Sequence, residues 1–507
     1  MSARKISRAL ISVYNKENLD PIVHLLGKAG VEFVSTGGTQ QYIEKLGYKV
    51  IPVETLTGYP SIFGGRVKTL HPAIFGGILY RRDEASDLKE AKEHKIESID
   101  LVIVDLYPFE ETVAAGGTPE AIIEKIDIGG ISLIRGAAKN FNDVLIVSSR
   151  NQYGKLQHLL ETKNCSSDLT DRKAFASMAF DVTSHYDSAI FAYFNQDQEI
   201  PSFKKSIQQG RTLRYGENPH QQGKFYGNLE DLLTQLHGKE LSYNNLVDVD
   251  AAINLVQEFD ETAFVIIKHT NACGVATGSS VKEAYLKAFA ADTVSAFGGV
   301  LATNKPVDLA AAEELNKLFF EILIAPAYSD DALELLKSKK NRMLLVQRKP
   351  LNEQVQFKSL LNGVIEQDAD NKTDNKADLK VVTKVSPSAE QVDALLFASK
   401  IAKHTKSNTI VLAVEGQLLA SGVGQTSRVD ALRQAIEKAK AFNLSLKGAV
   451  MASDAFFPFP DCVEIADKEG IQAVIQPGGS VRDQDSIDYC DAHGMAMVFT
   501  GTRHFKH

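Results

Sequence analysis

The chain has 507 residues, 44% of them hydrophobic, and a net charge of −8. That length predicts about three domains, and the acidic balance argues against a large nucleic-acid partner while leaving local basic clusters free to attract small anions. No apolar run approaches the roughly 20 residues of a membrane span, the first residues enter a strand pattern without a signal-peptide core, and four cysteines stand far apart, as expected of reduced thiols in a cytoplasm.

Short apolar runs predict strands at 10–13, 31–35, 101–104 and 144–147, with a helix over 19–28 after the first. Strands alternating with helices imply a parallel, doubly wound sheet. The second strand runs into Ser35-Thr36-Gly37-Gly38-Thr39, where glycines, hydroxyls and a following helix N-terminus can cradle a phosphate. A plain strand-to-helix turn fits the same residues, and no Gly-Lys-Ser/Thr follows to make a Walker motif. Gly64-Gly65-Arg66-Val67-Lys68-Thr69-Leu70-His71-Pro72 then places Arg66, Lys68 and His71, three candidate cations, between apolar flanks that predict a packed loop. Thr118-Pro119-Glu120 carries a cap, an early proline and an acid, and so opens a helix that leads toward Asp127-Ile128-Gly129-Gly130. Another helical piece ends at Lys139 and Asn140.

Together, Ser12, the 35–39 and 64–72 segments, Asp105-Leu106-Tyr107-Pro108-Phe109 and Ile126-Asp127-Ile128-Gly129-Gly130 resemble the inosine monophosphate cyclohydrolase half of the bifunctional purine-biosynthesis family. The resemblance implies a methylglyoxal-synthase-like α/β fold. It also implies catalytic roles for Lys68, Tyr107, Asp127 and Lys139. Ser12, Lys16, Ser35, Thr36, Gly37, Gly38, Thr39, Arg66 and Thr69 are implied at the substrate.

The polar stretch 195–201 marks a boundary, giving expected domains of 1–198 and 199–507. Beyond it, Ala263-Phe264-Val265-Ile266-Ile267 reads as a buried strand that stops on Lys268-His269-Thr270-Asn271. At the carboxyl end of a strand in an open sheet, that pair offers a fixed charge beside a proton carrier. A strand ending in polar loop residues reads the same way. Residues 366–380 are polar and charged and predict a surface excursion. Helical spacing returns over 387–403, and a hairpin follows Asn408. Gly424-Gln425-Thr426-Ser427-Arg428 at a helix start is a candidate anion site. The aromatics of Ser453-Asp454-Ala455-Phe456-Phe457-Pro458-Phe459-Pro460-Asp461 suit either core or the wall of a pterin pocket.

These segments, with Arg214-Tyr215 and the terminal Arg503-His504-Phe505-Lys506-His507, resemble the formyltransferase half of the same family, in the same order. The resemblance implies two cytidine-deaminase-like α/β subdomains meeting near 365–385. Yet the zinc signature of true deaminases, His-x-Glu with Pro-Cys-x-x-Cys, is absent, so no metal is expected. The implied chemistry moves a formyl group from 10-formyltetrahydrofolate, a cosubstrate rather than a bound cofactor, to 5-aminoimidazole-4-carboxamide ribotide, and then closes the ring with loss of water. Lys268, His269 and Asn408 would act in the transfer. Arg214, Tyr215, Arg428 and Arg503 would hold the ribotide, and Phe457, Phe459 and Asp461 would border the folate. A cytoplasmic homodimer sharing its transformylase sites is implied as well. One loop departs from the family's expected pattern: Ala291 and Thr293 flank Asp292 where a cysteine and a proline are expected. Two other readings compete, a nucleotide sensor without catalysis and an enzyme with one dead half. The acid and phenol at Asp127 and Tyr107 speak against the sensor, and two intact motif sets speak against the dead half.

Overall fold

The computed structural model describes residues 3–507. The chain separates into two compact units, Met1–Gln208 and Gln209–His507.

In the first unit, β1 (Arg8–Ser12), β2 (Glu32–Ser35), β3 (Val50–Pro52), β4 (Leu101–Val104) and β5 (Leu145–Val147) form a sheet in the order β3-β2-β1-β4-β5. Every pairing is parallel. Leu101-Val102-Ile103-Val104 is buried throughout, as a strand covered on both faces requires. Helices fill the crossovers, among them α1 (Asp20–Lys28), α2 (Gly37–Lys45) and α3 (Gly129–Lys139), and the 26-residue α4 (Leu169–Phe194) packs on α3 and β5. From β1 the chain turns to β2 on one side and later adds β4 on the other. The crevice at their carboxyl ends therefore lies between diverging connections, where open sheets of this kind take ligands.

The second unit is built on a twelve-stranded sheet. Its strands are β6 (Leu233–His237), β7 (Ala263–Lys268), β8 (Asn271–Thr277), β9 (Val300–Thr303), β10 (Ile322–Ala325) and β11 (Met343–Gln347), then β12 (Lys380–Val381), β13 (Ile410–Val414), β14 (Gln417–Gly422), β15 (Val450–Ser453), β16 (Ala473–Gln476) and β17 (Ala496–Phe499). Their order is β6-β11-β10-β9-β7-β8-β14-β13-β15-β16-β17-β12, so the second half repeats the first strand for strand about the β8–β14 seam. In each half an antiparallel hairpin is followed by a run of parallel strands with an antiparallel edge. One face is covered by α5 (Tyr243–Val256) and α7 (Ala389–Lys403) over a core shared by both halves. On the other face α6 (Val281–Ala291) and α8 (Arg428–Ala441) each cover one half.

Strand β7 is buried and ends on Lys268, as its apolar run predicts; it is antiparallel to both neighbours and turns tightly into β8. One expectation changes here. Only part of 366–380 is a surface excursion. An exposed hairpin spans Val355–Leu360 and Gly363–Asp368, but Asp374 is buried and accepts a hydrogen bond from the Ser399 hydroxyl at 2.7 Å. His504 pairs with Asp370 at 2.6 Å and with Asp374 at 3.5 Å. Burial would lower this imidazole, but the two carboxylates carry it up to about 9. Composition marks such residues as solvated because their partners, 25 positions away at Ser399 and 134 at His504, are invisible to it. Among the described residues no helix is long and apolar enough to cross a membrane, and the four cysteines are buried and free.

Candidate functional site

Ser12 ends β1, Ser35 ends β2, and Asp105 and Tyr107 follow β4, so the sheet delivers all four to the one crevice. Gly37 begins α2 at φ 54°, in the left-handed region open to glycine. A Cβ on Gly37 would stand 3.8 Å from the Lys68 Nζ, and one on Gly38 would stand 3.9 Å from the Lys16 Nζ. Two ammonium groups thus converge on a helix N-terminus whose first N–H groups lack helical acceptors, which makes an anion site. The hydroxyls of this loop are already engaged: Ser35 Oγ donates to the Ile11 carbonyl at 2.6 Å and Thr39 Oγ1 to that of Val13 at 2.9 Å. They brace the cradle, and Thr36 is buried beside them. His71 is not a third cation at the ligand, since its Nδ1 accepts the Ala73 N–H at 3.1 Å and caps a helix. Arg66 lies exposed in an ion pair with Glu124.

Buried Thr69 brings the same loop to the start of α3, its Oγ1 3.2 Å from where a Gly129 Cβ would sit. There Asp127 Oδ1 accepts the Gly130 N–H at 2.6 Å. Burial raises the Asp127 carboxyl above the usual range, against the pull of backbone N–H groups of Gly130 and Tyr107. The Tyr107 phenol is raised too, by burial and then by the charge of Asp127. A carboxyl made more basic beside a phenol kept protonated is a base and acid pair. The segment before Asp127 is pinned from α4: Tyr186 Oη donates to the Lys125 carbonyl at 2.6 Å and accepts the Asp127 N–H at 2.9 Å. The Lys125 Nζ in turn lies 5.3 Å from the Tyr14 ring centre and 5.8 Å from that of Tyr107. Lys139 is not gathered here. It is exposed in the last turn of α3, about 15 Å along the axis from the Asp127 end.

In the second unit, His269 and Thr270 form the two-residue turn between β7 and β8, at φ 51° and 67°. Asp248 on α5 holds this turn, accepting the Thr270 N–H at 2.7 Å. Burial raises the Asp248 carboxyl, opposed by that bond and by the charges of His269 and Lys268. His269 is exposed, and Lys268 donates to the carbonyls of Phe297 at 2.8 Å and Gly298 at 3.2 Å. So held, Lys268 lines a cavity of about 250 Å³ together with Asn271, Cys273, Ser295, Ser421 and Lys438. Beside it, buried Asp292 pairs with Lys438 at 2.5 Å and accepts the Ser295 N–H at 2.7 Å, so the loop with the unusual flanks is well anchored.

Asn408 is fully engaged, donating to the carbonyls of Gln425 at 3.0 Å and Thr426 at 3.3 Å and accepting from Arg428 at 2.9 Å. Arg428 also pairs with buried Asp454 at 2.9 Å. Both therefore brace the β14–α8 loop. Phe457 departs from the sequence reading: it is wholly buried in the second half's core, and Phe456 and Phe459 are the exposed rings. Asp461 opens the next helix, where its Oδ1 accepts the Cys462 N–H at 2.9 Å. Arg214 is exposed against the Tyr215 ring, 4.9 Å from its centre, and Arg503 lies 4.4 Å from that of Phe505.

Comparison with known proteins decides the family. The family described as AICARFT/IMPCHase bienzyme matches residues 137–438, and the MGS-like domain matches residues 18–132. A bifunctional purine biosynthesis protein PurH from Bacteroides thetaiotaomicron is 61% identical over 505 residues, covering 100% of this chain and 99% of the relative. Those of Aquifex aeolicus and Chlorobium phaeobacteroides are 49% and 46% identical, and each spans 99% or more of both chains.

The chain belongs to the AICARFT/IMPCHase bienzyme family. This bienzyme is a bifunctional enzyme of purine biosynthesis, a formyltransferase and an inosine monophosphate cyclohydrolase. Its parallel first sheet belongs to the MGS-like domain. Sequence reading passed over Asp248, Lys125 and Tyr186 in this bienzyme. No local pattern marks them, because each acts on a segment at least 18 positions away or through a ring contact that only the fold creates.

Proposed function

We propose that the MGS-like unit of this bienzyme, residues 1–198, performs the cyclisation and that residues 199–507 perform the formyl transfer. We assign the second region two cytidine-deaminase-like subdomains that meet near 365–385, in keeping with its repeated strand order. The observation that carries the reading is the convergence of the Lys16 and Lys68 ammonium groups on the N-terminus of α2, beside Asp127 and Tyr107.

In the transfer, the 5-amino group of the ribotide attacks the formyl carbon of 10-formyltetrahydrofolate. That amine is a poor nucleophile, its lone pair being drawn into the ring, so it must lose its proton as the C–N bond forms. Exposed His269 takes this proton. Lys268, held by two carbonyls, faces the oxyanion of the tetrahedral adduct, and removing such a group costs on the order of 10²-fold or more in rate. The adduct collapses, and the folate nitrogen leaves with a proton. Arg214, Tyr215 and Arg503 take the ribotide, with Arg428 steadied by Asn408. Phe459 and Asp461 border the folate.

In the cyclisation, the carboxamide nitrogen attacks the formyl carbon already tethered beside it, so orientation supplies much of the rate. Asp127 accepts a proton from that nitrogen, and Tyr107 protonates the formyl oxygen. The formamide nitrogen gives up the second proton as the C–O bond breaks and water departs. Lys16 and the N–H groups of Gly37, Gly38 and Thr39 hold the phosphate beside Ser12, while Lys68 and Thr69 reach the reacting end. Lys139 contributes through its charge alone. A cytoplasmic homodimer with shared transformylase sites completes the proposal.

The test assays purified protein for both steps. Lys268→Ala abolishes formyl transfer while synthetic formylated ribotide still cyclises, and Lys68→Ala does the reverse. Either substitution silencing both steps in folded protein overturns the division of labour.

A further inference from the structure

Asp127 and Tyr107 do their work only if the segment between Lys125 and Asp127 is held in one place. It follows a short helix that ends at Ile123, and the N–H groups of Lys125 and Ile126 still donate to the carbonyls of Ile122 and Ile123 at 3.0 Å. The Lys125 carbonyl and the Asp127 N–H lie beyond that turn, and they are fixed from α4. Tyr186 is 6% exposed, packed with Phe109 and Ile122 under the partly buried Ile126. Its hydroxyl has one proton to donate and lone pairs to accept with, and both functions are spent on this segment: donation to the Lys125 carbonyl at 2.6 Å, acceptance from the Asp127 N–H at 2.9 Å. One atom therefore closes a bridge over Ile126. Burial, with the charge of Asp127 added, pushes the phenol up to about 12, so the donating proton stays in place at any working pH.

The bridge sets two side chains at once. On one side the Asp127 carboxyl reaches the Gly130 N–H at 2.6 Å. On the other the Lys125 Nζ is brought within 5.8 Å of the Tyr107 ring centre and within 5.3 Å of that of Tyr14, whose ring meets Tyr107 edge-on at 5.6 Å. A cation over a phenol face restrains that ring.

We propose that Tyr186 is a positioning residue of the cyclohydrolase step, a hydroxyl clamp that fixes Asp127 and, through Lys125, the ring of Tyr107. The inference rests on the assignment of Asp127 and Tyr107 to the cyclisation. The phosphate-holding groups lie on the β1 and β2 loops, and the Tyr186 hydroxyl bonds to neither loop, so the clamp separates turnover from binding.

The test is Tyr186→Phe, which keeps the ring and its packing and removes one oxygen. Cyclisation of synthetic formylated ribotide is expected to lose at least about tenfold in kcat, since displacing a reacting group by a fraction of an ångström to 1 Å costs up to 10²-fold. KM for the same ribotide and the affinity for inosine monophosphate stay within about twofold of the parent, which a general loosening of the unit would not allow. Tyr193→Phe, a hydroxyl deletion on the same helix at a ring that meets Phe109 edge-on at 5.8 Å, serves as the control and leaves kcat unchanged. A Tyr186→Phe enzyme with parental kcat, or one in which KM rises in step with any fall in kcat, overturns the clamp. Asp127→Asn separates this failure from that of the underlying assignment: if it retains the parental rate, the assignment of the site falls, and if it is inactive while Tyr186→Phe is not, the clamp alone falls.

Discussion

Gly130→Ala puts a single methyl group against the carboxylate proposed as the cyclisation base. Its Cβ would stand 2.5 Å from Asp127 Oδ2 and 2.9 Å from both Oδ1 and Cγ, where ordinary contact begins at 3.4 Å. The carboxylate must therefore retreat by about 0.9 Å. A displacement near 1 Å at a reacting group costs on the order of 10²-fold in rate, or about 2.7 kcal/mol in activation free energy. Stability moves little or in the other direction, because Gly130 lies in the first turn of α3, outside the left-handed region, and alanine favours a helix over glycine by up to about 1 kcal/mol. The expected variant is as well folded as the parent, transfers formyl groups at the parental rate and cyclises formylated ribotide about a hundredfold more slowly. Single-turnover cyclisation and thermal unfolding on the same preparation read both quantities. A cyclisation rate within twofold of the parent would show that Asp127 does not work from the position described.

Other outcomes follow from the second unit. Burial alone would raise the Glu258 carboxyl, but bonds from His404, Lys403 and Thr373 hold it down to about 2, against 4.5 for the free group. A depressed carboxyl stabilises the fold fully above pH 4.5 and loses that contribution as pH falls toward 2, at most about 3 kcal/mol in all. Denaturant unfolding at pH 6 and pH 3 should thus show a larger loss for the parent than for Glu258→Gln, and equal losses would contradict the pairing. Phe457→Ala, emptying a core position, is expected to cost about 3–5 kcal/mol of stability. Phe459→Ala is expected to stay within about 0.5 kcal/mol of the parent in unfolding and to raise KM for the folate instead, and the opposite pattern would return Phe457 to the pocket wall.

What the sequence made legible follows the reach of its patterns. The parallel sheet of the first unit could be read because apolar runs such as 101–104 and the caps at Thr118 are local signals, and the β13–β14 hairpin because a Glu415-Gly416 turn separates two apolar runs. The same locality explains the departures. Three aromatics within four positions cannot reveal which ring turns inward, and Phe457 does because it joins the buried cluster that holds Met451 and Val474 of strands β15 and β16. The charges of 370–374 look solvated until the C-terminal His504 is folded against them. Candidate site residues stand in contiguous motifs and can be quoted from the sequence, while Tyr186 and Asp248, which bond to segments far along the chain, leave no spacing to read.

The seam between the two halves of the twelve-stranded sheet runs along the cavity at Lys268. That lysine and Ser295 come from the first half, Ser421 and Lys438 from the second, and the halves are joined edge to edge through β8 and β14. The duplicated architecture thus makes this opening composite: each copy of the repeated strand order supplies one lysine to its wall, and neither copy encloses it alone.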